Sequence, residues 1–82
     1  MELVEFTKEL ILSIVDSKDM VAVKEMPPED EKTIVIEVLV DEHDMPRVIG
    51  KGGRNINAIR TLVQACSYKK ENKYVKINID KI

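Results

Sequence analysis

All three glycines of this 82-residue chain fall within four positions, Gly50-Lys51-Gly52-Gly53, where they interrupt an otherwise helical pattern. The whole segment reads Val48-Ile49-Gly50-Lys51-Gly52-Gly53-Arg54-Asn55-Ile56. Glycine reaches positive φ without steric cost and carries no Cβ, so two glycines framing two residues allow a tight helix-to-helix turn that another backbone can approach. A helix starting near Gly53 adds unpaired N–H groups and the positive end of its dipole, a seat suited to phosphate. Lys51 and Arg54 put full charges beside it. A plain helix corner needs one glycine and gains nothing from two adjacent cations.

Two other glycine-loop chemistries fail on spacing. A Walker-type loop requires Gly-Lys followed by Ser or Thr, whereas Gly50-Lys51 is followed by Gly52, and no earlier glycine exists to start the motif. A dinucleotide fingerprint requires its glycines straight after a strand, yet nine residues including Pro46 separate Gly50 from the apolar run ending at Val40.

Periodicity places the loop in a simple order of elements. Leu3, Phe6, Leu10 and Ile14 recur at spacings of three and four, flanked by Val4, Ile11 and Val15, which predicts an amphipathic helix ended by Asp16-Ser17-Lys18-Asp19. Residues 20–26 are short and β-branched and read as a strand, and Pro27-Pro28-Glu29-Asp30-Glu31-Lys32 reads as a loop. From Thr33 to Val40 the chain alternates, with Ile34, Ile36, Val38 and Val40 on one face. Asp44 before Met45-Pro46 suits an N-cap with proline in the first turn of a short helix that Gly50 stops. Ile56, Ile59, Val63 and Cys66 then make a helical stripe over residues 54 to about 67, residues 69–73 read as a basic loop, and Val75, Ile77 and Ile79 alternate in a last strand. The fold class is α+β in the order α-β-β-α-α-β, a three-stranded mixed sheet with helices packed on one face.

Residues 1–82 form a single domain, because a chain this short buries only about 60% of its unfolded surface. A deep enzyme cleft is not expected. Cys66 is alone and His43 is the only histidine, so neither a disulfide nor a structural zinc site is available, and no metal or other cofactor is implied. The first sixteen residues are acidic where a signal peptide is basic, and no apolar run approaches a membrane span, so the expected location is cytoplasmic.

Charge is divided unevenly. Residues 1–46 hold four basic and thirteen acidic side chains, net −9, whereas residues 47–82 hold nine basic and two acidic, net +7. A nucleic-acid site therefore belongs after residue 46.

The segment from Val48 to Ile56 resembles the signature of KH domains, in which a Gly-x-x-Gly loop joins two helices and clamps single-stranded nucleic acid. With a helix and strand placed N-terminally, the setting resembles the bacterial type II KH arrangement. The whole chain, including Arg47 and Ala58-Ile59-Arg60-Thr61-Leu62-Val63, is similar to the small stand-alone bacterial KH proteins of the KhpA family. The resemblance implies a groove for about four nucleotides. Gly50, Lys51, Gly52 and Gly53 would clamp the backbone, with Lys51 and Arg54 facing phosphates and Arg47 beside them. Val48, Ile49 and Ile56 would add apolar groove surface, Ile56 leaning toward the core. Lys76 and Asn78 would bring the edge of the last strand to the bases, and Lys69, Lys70 and Lys73 in the 67–73 loop could close the groove. Pro46 stands where such proteins lead one to expect a small residue or Gly.

The expected function is non-enzymatic binding of single-stranded RNA, as an RNA chaperone or post-transcriptional regulator. The other reading implied is an assembly module paired with a larger KH-containing protein of the Jag type in control of cell shape, elongation and division. Three aromatic residues, Phe6, Tyr68 and Tyr74, argue against binding by base stacking. One groove on an acidic protein should bind modestly, and pairing would restore avidity, so a homodimer is expected with Ala58, Leu62 and Ala65 as the face. His43 in an acidic turn and Cys66 on an apolar stripe are given no chemical role.

Overall fold

A computed structural model describes residues 2–82 of the chain. The elements are α1 (Leu3–Leu12), β1 (Ala22–Met26), β2 (Thr33–Val40), α2 (Met45–Ile49), α3 (Arg54–Lys70) and β3 (Tyr74–Lys81), in the expected α-β-β-α-α-β order. Short 3₁₀ turns at Lys18–Met20, Glu42–Asp44 and Lys51–Gly53 join them. In the sheet β2 is central, antiparallel to β1 and parallel to β3. A parallel neighbour needs a long crossover, and α2 with α3 supplies it.

Alternation along β2 sorts the two faces. Ile34, Ile36, Val38 and Val40 are buried toward the helices, and Ile34 and Ile36 stand in register with the buried Val75 and Ile77 of β3. Leu3 and Ile11 from α1, Val48 from α2, and Ile59 and Val63 from α3 close over this face in one apolar cluster. The opposite face is mostly polar but holds one buried exception. Val35 lies between Met26 of β1 and Lys76 of β3, outside the main cluster, where a Glu29–Lys76 ion pair (3.1 Å) draws the 27–32 loop across the sheet.

Three details depart from the periodicity. The buried stripe of α1 and the turn after it is Leu3, Thr7, Ile11 and Val15, while Phe6, Leu10 and Ile14 flank it half-buried. Thr7 can sit inside because its hydroxyl donates to the Leu3 carbonyl (2.8 Å) and leaves only a methyl to pack. The helix ends at Leu12, where the Lys18 ammonium caps the carbonyls of Leu12 (2.8 Å) and Val15 (3.0 Å). Finally, α3 runs to Lys70, so Lys69 and Lys70 belong to its last turn and not to a loop. Cations there complement the negative end of the helix dipole, and the chain turns only at Asn72, which takes a left-handed φ of 55°.

Candidate functional site

The corner between α2 and α3 is made by backbone conformation. Gly50 sits at φ 76°, ψ 168°, a region open essentially to glycine alone, and Gly52 sits at φ 65°, ψ 19°. Two hydrogen bonds close the turn, from the Gly50 N–H to the Pro46 carbonyl (2.9 Å) and from the Gly53 N–H to the Gly50 carbonyl (3.0 Å). Their reasons for being glycine differ. A Cβ on Gly50 would stand 2.8 Å from Asn55 Cγ and 2.9 Å from the Asn55 backbone nitrogen. A Cβ on Gly52 would meet nothing within 4 Å. Gly50 is packed from inside, and Gly52 is open to approach from outside.

Asn55 is the residue the sequence reading passed over. Its side-chain amide donates to the Arg47 carbonyl (2.7 Å), tying the last turn of α2 to the first turn of α3, and its Cγ fills the space a Gly50 side chain would need. The sequence signal was only its place two residues after the glycines.

A second tie fixes α2 from the other side. Asp44 makes no capping bond to α2, contrary to expectation. Its carboxylate, 1% exposed, accepts the backbone N–H groups of Asp16 and Ser17 (3.0 Å each) at the end of the α1 segment. Those two bonds, the Asp16 one first, hold its pKa below the ordinary Asp value against the opposing effect of burial. Asp16 in turn accepts from Arg47 Nη1 at 2.7 Å. The glycine corner therefore rests on a scaffold that reaches back to α1.

The cations divide accordingly. Arg47 is paired with Asp16, Lys76 with Glu29, and Lys81 with Glu42 (3.2 Å), each joining a carboxylate of the acidic half to a cation of the basic half. Exposed pairs of this kind contribute little to stability but do neutralise charge. Among the described residues, the side chains of Lys51 and Arg54 are exposed and hold no hydrogen-bond or ion-pair partner. The positive end of α3 and two free cations therefore meet at the corner.

The far end of α3 is built by side chains. Gln64 donates to the Lys73 carbonyl (2.9 Å) and accepts the Val75 N–H (2.9 Å), and the buried Ser67 hydroxyl donates to the same Lys73 carbonyl (2.7 Å). Arg60 Nη2 donates to the Ile77 carbonyl (3.2 Å). Because the Tyr74 and Ile82 N–H groups point across to the carbonyls of Lys32, just before β2, and Val40, at its end, the odd-numbered residues of β3 turn their backbone groups outward, where α3 meets them. Beside this edge lies a cleft of about 440 Å³ lined by Arg60, Thr61, Gln64, Ala65, Tyr68, Tyr74 and Val75. A smaller depression of about 300 Å³ shares Arg60, Tyr74 and Val75 with it and continues to Lys76, Ile77 and Asn78.

Gly50, Lys51, Gly52, Gly53 and Arg54 thus form one corner, and Arg47 and Ile49 flank it. Val48 has no exposed surface and lies in the main apolar cluster, and Ile56 is also buried though outside that cluster, so neither offers exposed groove surface. Lys76 and Asn78 project from the sheet face opposite the helices and reach the β3 edge beside Arg60. Lys73 lies in the turn after α3. Ala58, Leu62 and Ala65 are exposed on α3, Leu62 by 50%, and Ala58 borders a hollow of about 190 Å³ against Leu10 and Ile14 of the α1 segment. His43 is exposed in a 3₁₀ turn and Cys66 packs half-buried against the core. No group of metal-binding side chains occurs among the described residues, and none of their helices is long and apolar enough to cross a membrane.

The family model described as KhpA/KhpB, KH domain, matches residues 4–79. The chain is 44% identical over 78 residues to the RNA-binding protein KhpA of Clostridium perfringens, covering 95% of this chain and 96% of that one. It is 38% identical over 78 residues to the RNA-binding protein KhpA of Borreliella burgdorferi, covering 95% and 88%. Among solved structures it resembles Era in complex with MgGDPNP and nucleotides 1506–1542 of 16S ribosomal RNA, with a TM-score of 0.70 and 23% identity. The match covers 96% of this chain but 29% of that one, and at this identity it establishes the fold alone.

Proposed function

The chain belongs to the KhpA/KhpB family of KH domains, and from that premise we propose that it binds single-stranded RNA without catalysing a reaction, as an RNA chaperone or post-transcriptional regulator. The observation that carries this reading is the corner at residues 50–53. Its glycines bring a bare backbone to the surface, Gly52 has open space in front of it, and Lys51 and Arg54 stand beside it unpaired. A sugar-phosphate backbone can approach there as a bulky side chain would forbid, and about four nucleotides lie along a KH groove. Two relatives from different bacteria carry the name RNA-binding protein KhpA, which supports the same reading.

With about three phosphate contacts, the slope of log K against log salt should be near −2 for a single strand. Titration of labelled single-stranded and duplex RNA across a salt series tests this. A salt-insensitive complex that prefers duplex would overturn it.

Pairing of the domain is a second element of the proposal. Leu62 stands half-exposed on α3 with Ala58 and Ala65 nearby, small residues that permit close helix approach. The same face would serve a second copy or a larger KH-containing partner of the Jag type. Light scattering should give a dimer for the parent and a monomer for Leu62→Glu; a monomeric parent at tens of micromolar removes this element.

A further inference from the structure

We propose that the cleft between Tyr68 and Tyr74 receives the base of an additional nucleotide, on the same RNA strand that the glycine corner holds by its backbone. The inference rests on the RNA-binding reading and extends it to a site at the other end of α3. Tyr68 and Tyr74 are 55% and 57% exposed, line one cleft of about 440 Å³, and have no hydrogen-bond partner for either hydroxyl among the described residues. Phe6 is the only other aromatic residue of the chain, so both exposed aromatic rings are gathered at this place.

The walls of the cleft are already fixed. Gln64 is held by the Lys73 carbonyl and the Val75 N–H, and Arg60 by the Ile77 carbonyl, so two polar side chains of the wall are anchored to the turn and to β3. Aromatic faces and an arginine plane are what an unstacked base meets in single-strand sites, and tyrosine hydroxyls can also donate to or accept from base edges. Arg60 adds positive charge beside the rings, which suits a polyanion.

Position along α3 supports continuity with the glycine corner. A Cβ on Gly53 would lie 3.3 Å from Asn57 Nδ2, and Asn57, Arg60, Gln64 and Tyr68 follow at spacings of three and four, so they share one side of the helix. From Arg54 to Tyr68 the axis advances about 21 Å at 1.5 Å per residue. The tyrosines thus stand beyond the groove of about four nucleotides, where the next base of an extended strand arrives. Exposed tyrosines therefore act at the end of the groove, and the scarcity of aromatic residues limits stacking to this single site.

The test uses the intact protein with oligo(A) and oligo(U) of four and eight nucleotides. Tyrosine emission belongs to these two residues alone, because the chain has two tyrosines and no tryptophan. The eight-mers should quench it and the four-mers much less. Tyr68→Leu and Tyr74→Leu should each lose about fivefold or more in affinity for the eight-mers, the low end of base–aromatic stacking, while four-mer affinity changes little. Unchanged emission on eight-mer binding, or equal eight-mer affinity in parent and variants by anisotropy of labelled RNA, overturns the stacking site while leaving the glycine corner intact. Quenching by AMP alone at the same concentration assigns the cleft to free nucleotide and overturns the shared-strand claim. A parent that binds neither length removes this inference together with the RNA reading.

Discussion

The two ends of α3 solve the same problem by opposite means. At its start, the chain reverses through three glycines at positive φ, Gly50 in a region open essentially to glycine alone, and Lys51 is the one side chain beyond Cα in the turn. At its end, the chain reverses with one residue at positive φ, Asn72, and side chains do the closing: Gln64 and Ser67 share the Lys73 carbonyl, and the Ser67 carbonyl takes the N–H groups of Glu71 (2.8 Å) and Asn72 (2.9 Å). A turn whose polar groups are satisfied by its own side chains is sealed. A turn whose glycines leave its backbone bare, with Lys51 and Arg54 unpaired on it, is available to something else.

Substitutions that interchange the two strategies should separate stability from binding. Gly50→Ala carries the largest expected effect, about 3 kcal/mol of lost stability, because a strained backbone and a clash with the Asn55 backbone coincide there. Urea denaturation reads it, and a loss below 1 kcal/mol, roughly the scale of a single glycine propensity effect, would show that the corner can relax. Gln64→Leu comes next, at about 2 kcal/mol, since the Val75 N–H loses its acceptor at a part-buried place. An unchanged denaturation midpoint would mean that water satisfies that group and the far turn is less sealed than its hydrogen bonds imply.

Gly52→Ala sharpens the contrast within the corner itself. Its added methyl meets nothing in the protein, so only the left-handed backbone is penalised, by about 1 kcal/mol, while the methyl stands where RNA would approach. Affinity for single-stranded RNA should fall by more than the stability loss explains. Equal affinity would move the contact away from Gly52.

Acid gives the smallest effect at neutral pH and the most specific signature of the scaffold behind the corner. Asp44 has a folded pKa below its unfolded value, so its contribution is complete above the unfolded value of about 3.9 and is lost as the pH falls through the folded one. Asp44→Asn should be less stable than the parent at pH 7, and the difference should narrow as the pH drops below about 4. A constant difference across that range would mean that the charge on Asp44 does not matter to the two N–H bonds it accepts.

The same contrast explains what could be read before the structure. The glycine corner was legible because glycine punctuates a sequence, and the alternation of β2 and β3 was legible because period two survives burial on one face. The far turn left no such mark. Gln64 and Ser67 carry no motif, Lys73 reads only as a loop cation that could close the groove, and good helix formers at Lys69 and Lys70 carry α3 past the expected end to a stop at Asn72. Thr7 was hidden for a related reason, since a hydroxyl bonded to its own helix behaves as a buried apolar group. Val48 was misplaced because its motif position speaks of the groove, while its burial is decided by α2 folding onto the sheet. Asp44 looked like a cap, and only the tertiary approach of residues 16 and 17 shows which N–H groups it serves.

The most direct measurement is RNA binding by Lys51→Asp combined with Gly52→Asp, beside circular dichroism and thermal melting of the same preparation. Both positions are exposed, and Asp tolerates the left-handed conformation of residue 52 better than most side chains, so the fold should persist. Two carboxylates at the corner should repel phosphate and reduce single-stranded RNA binding below detection. A folded double variant that binds as well as the parent would contradict the assignment of the corner as the phosphate clamp.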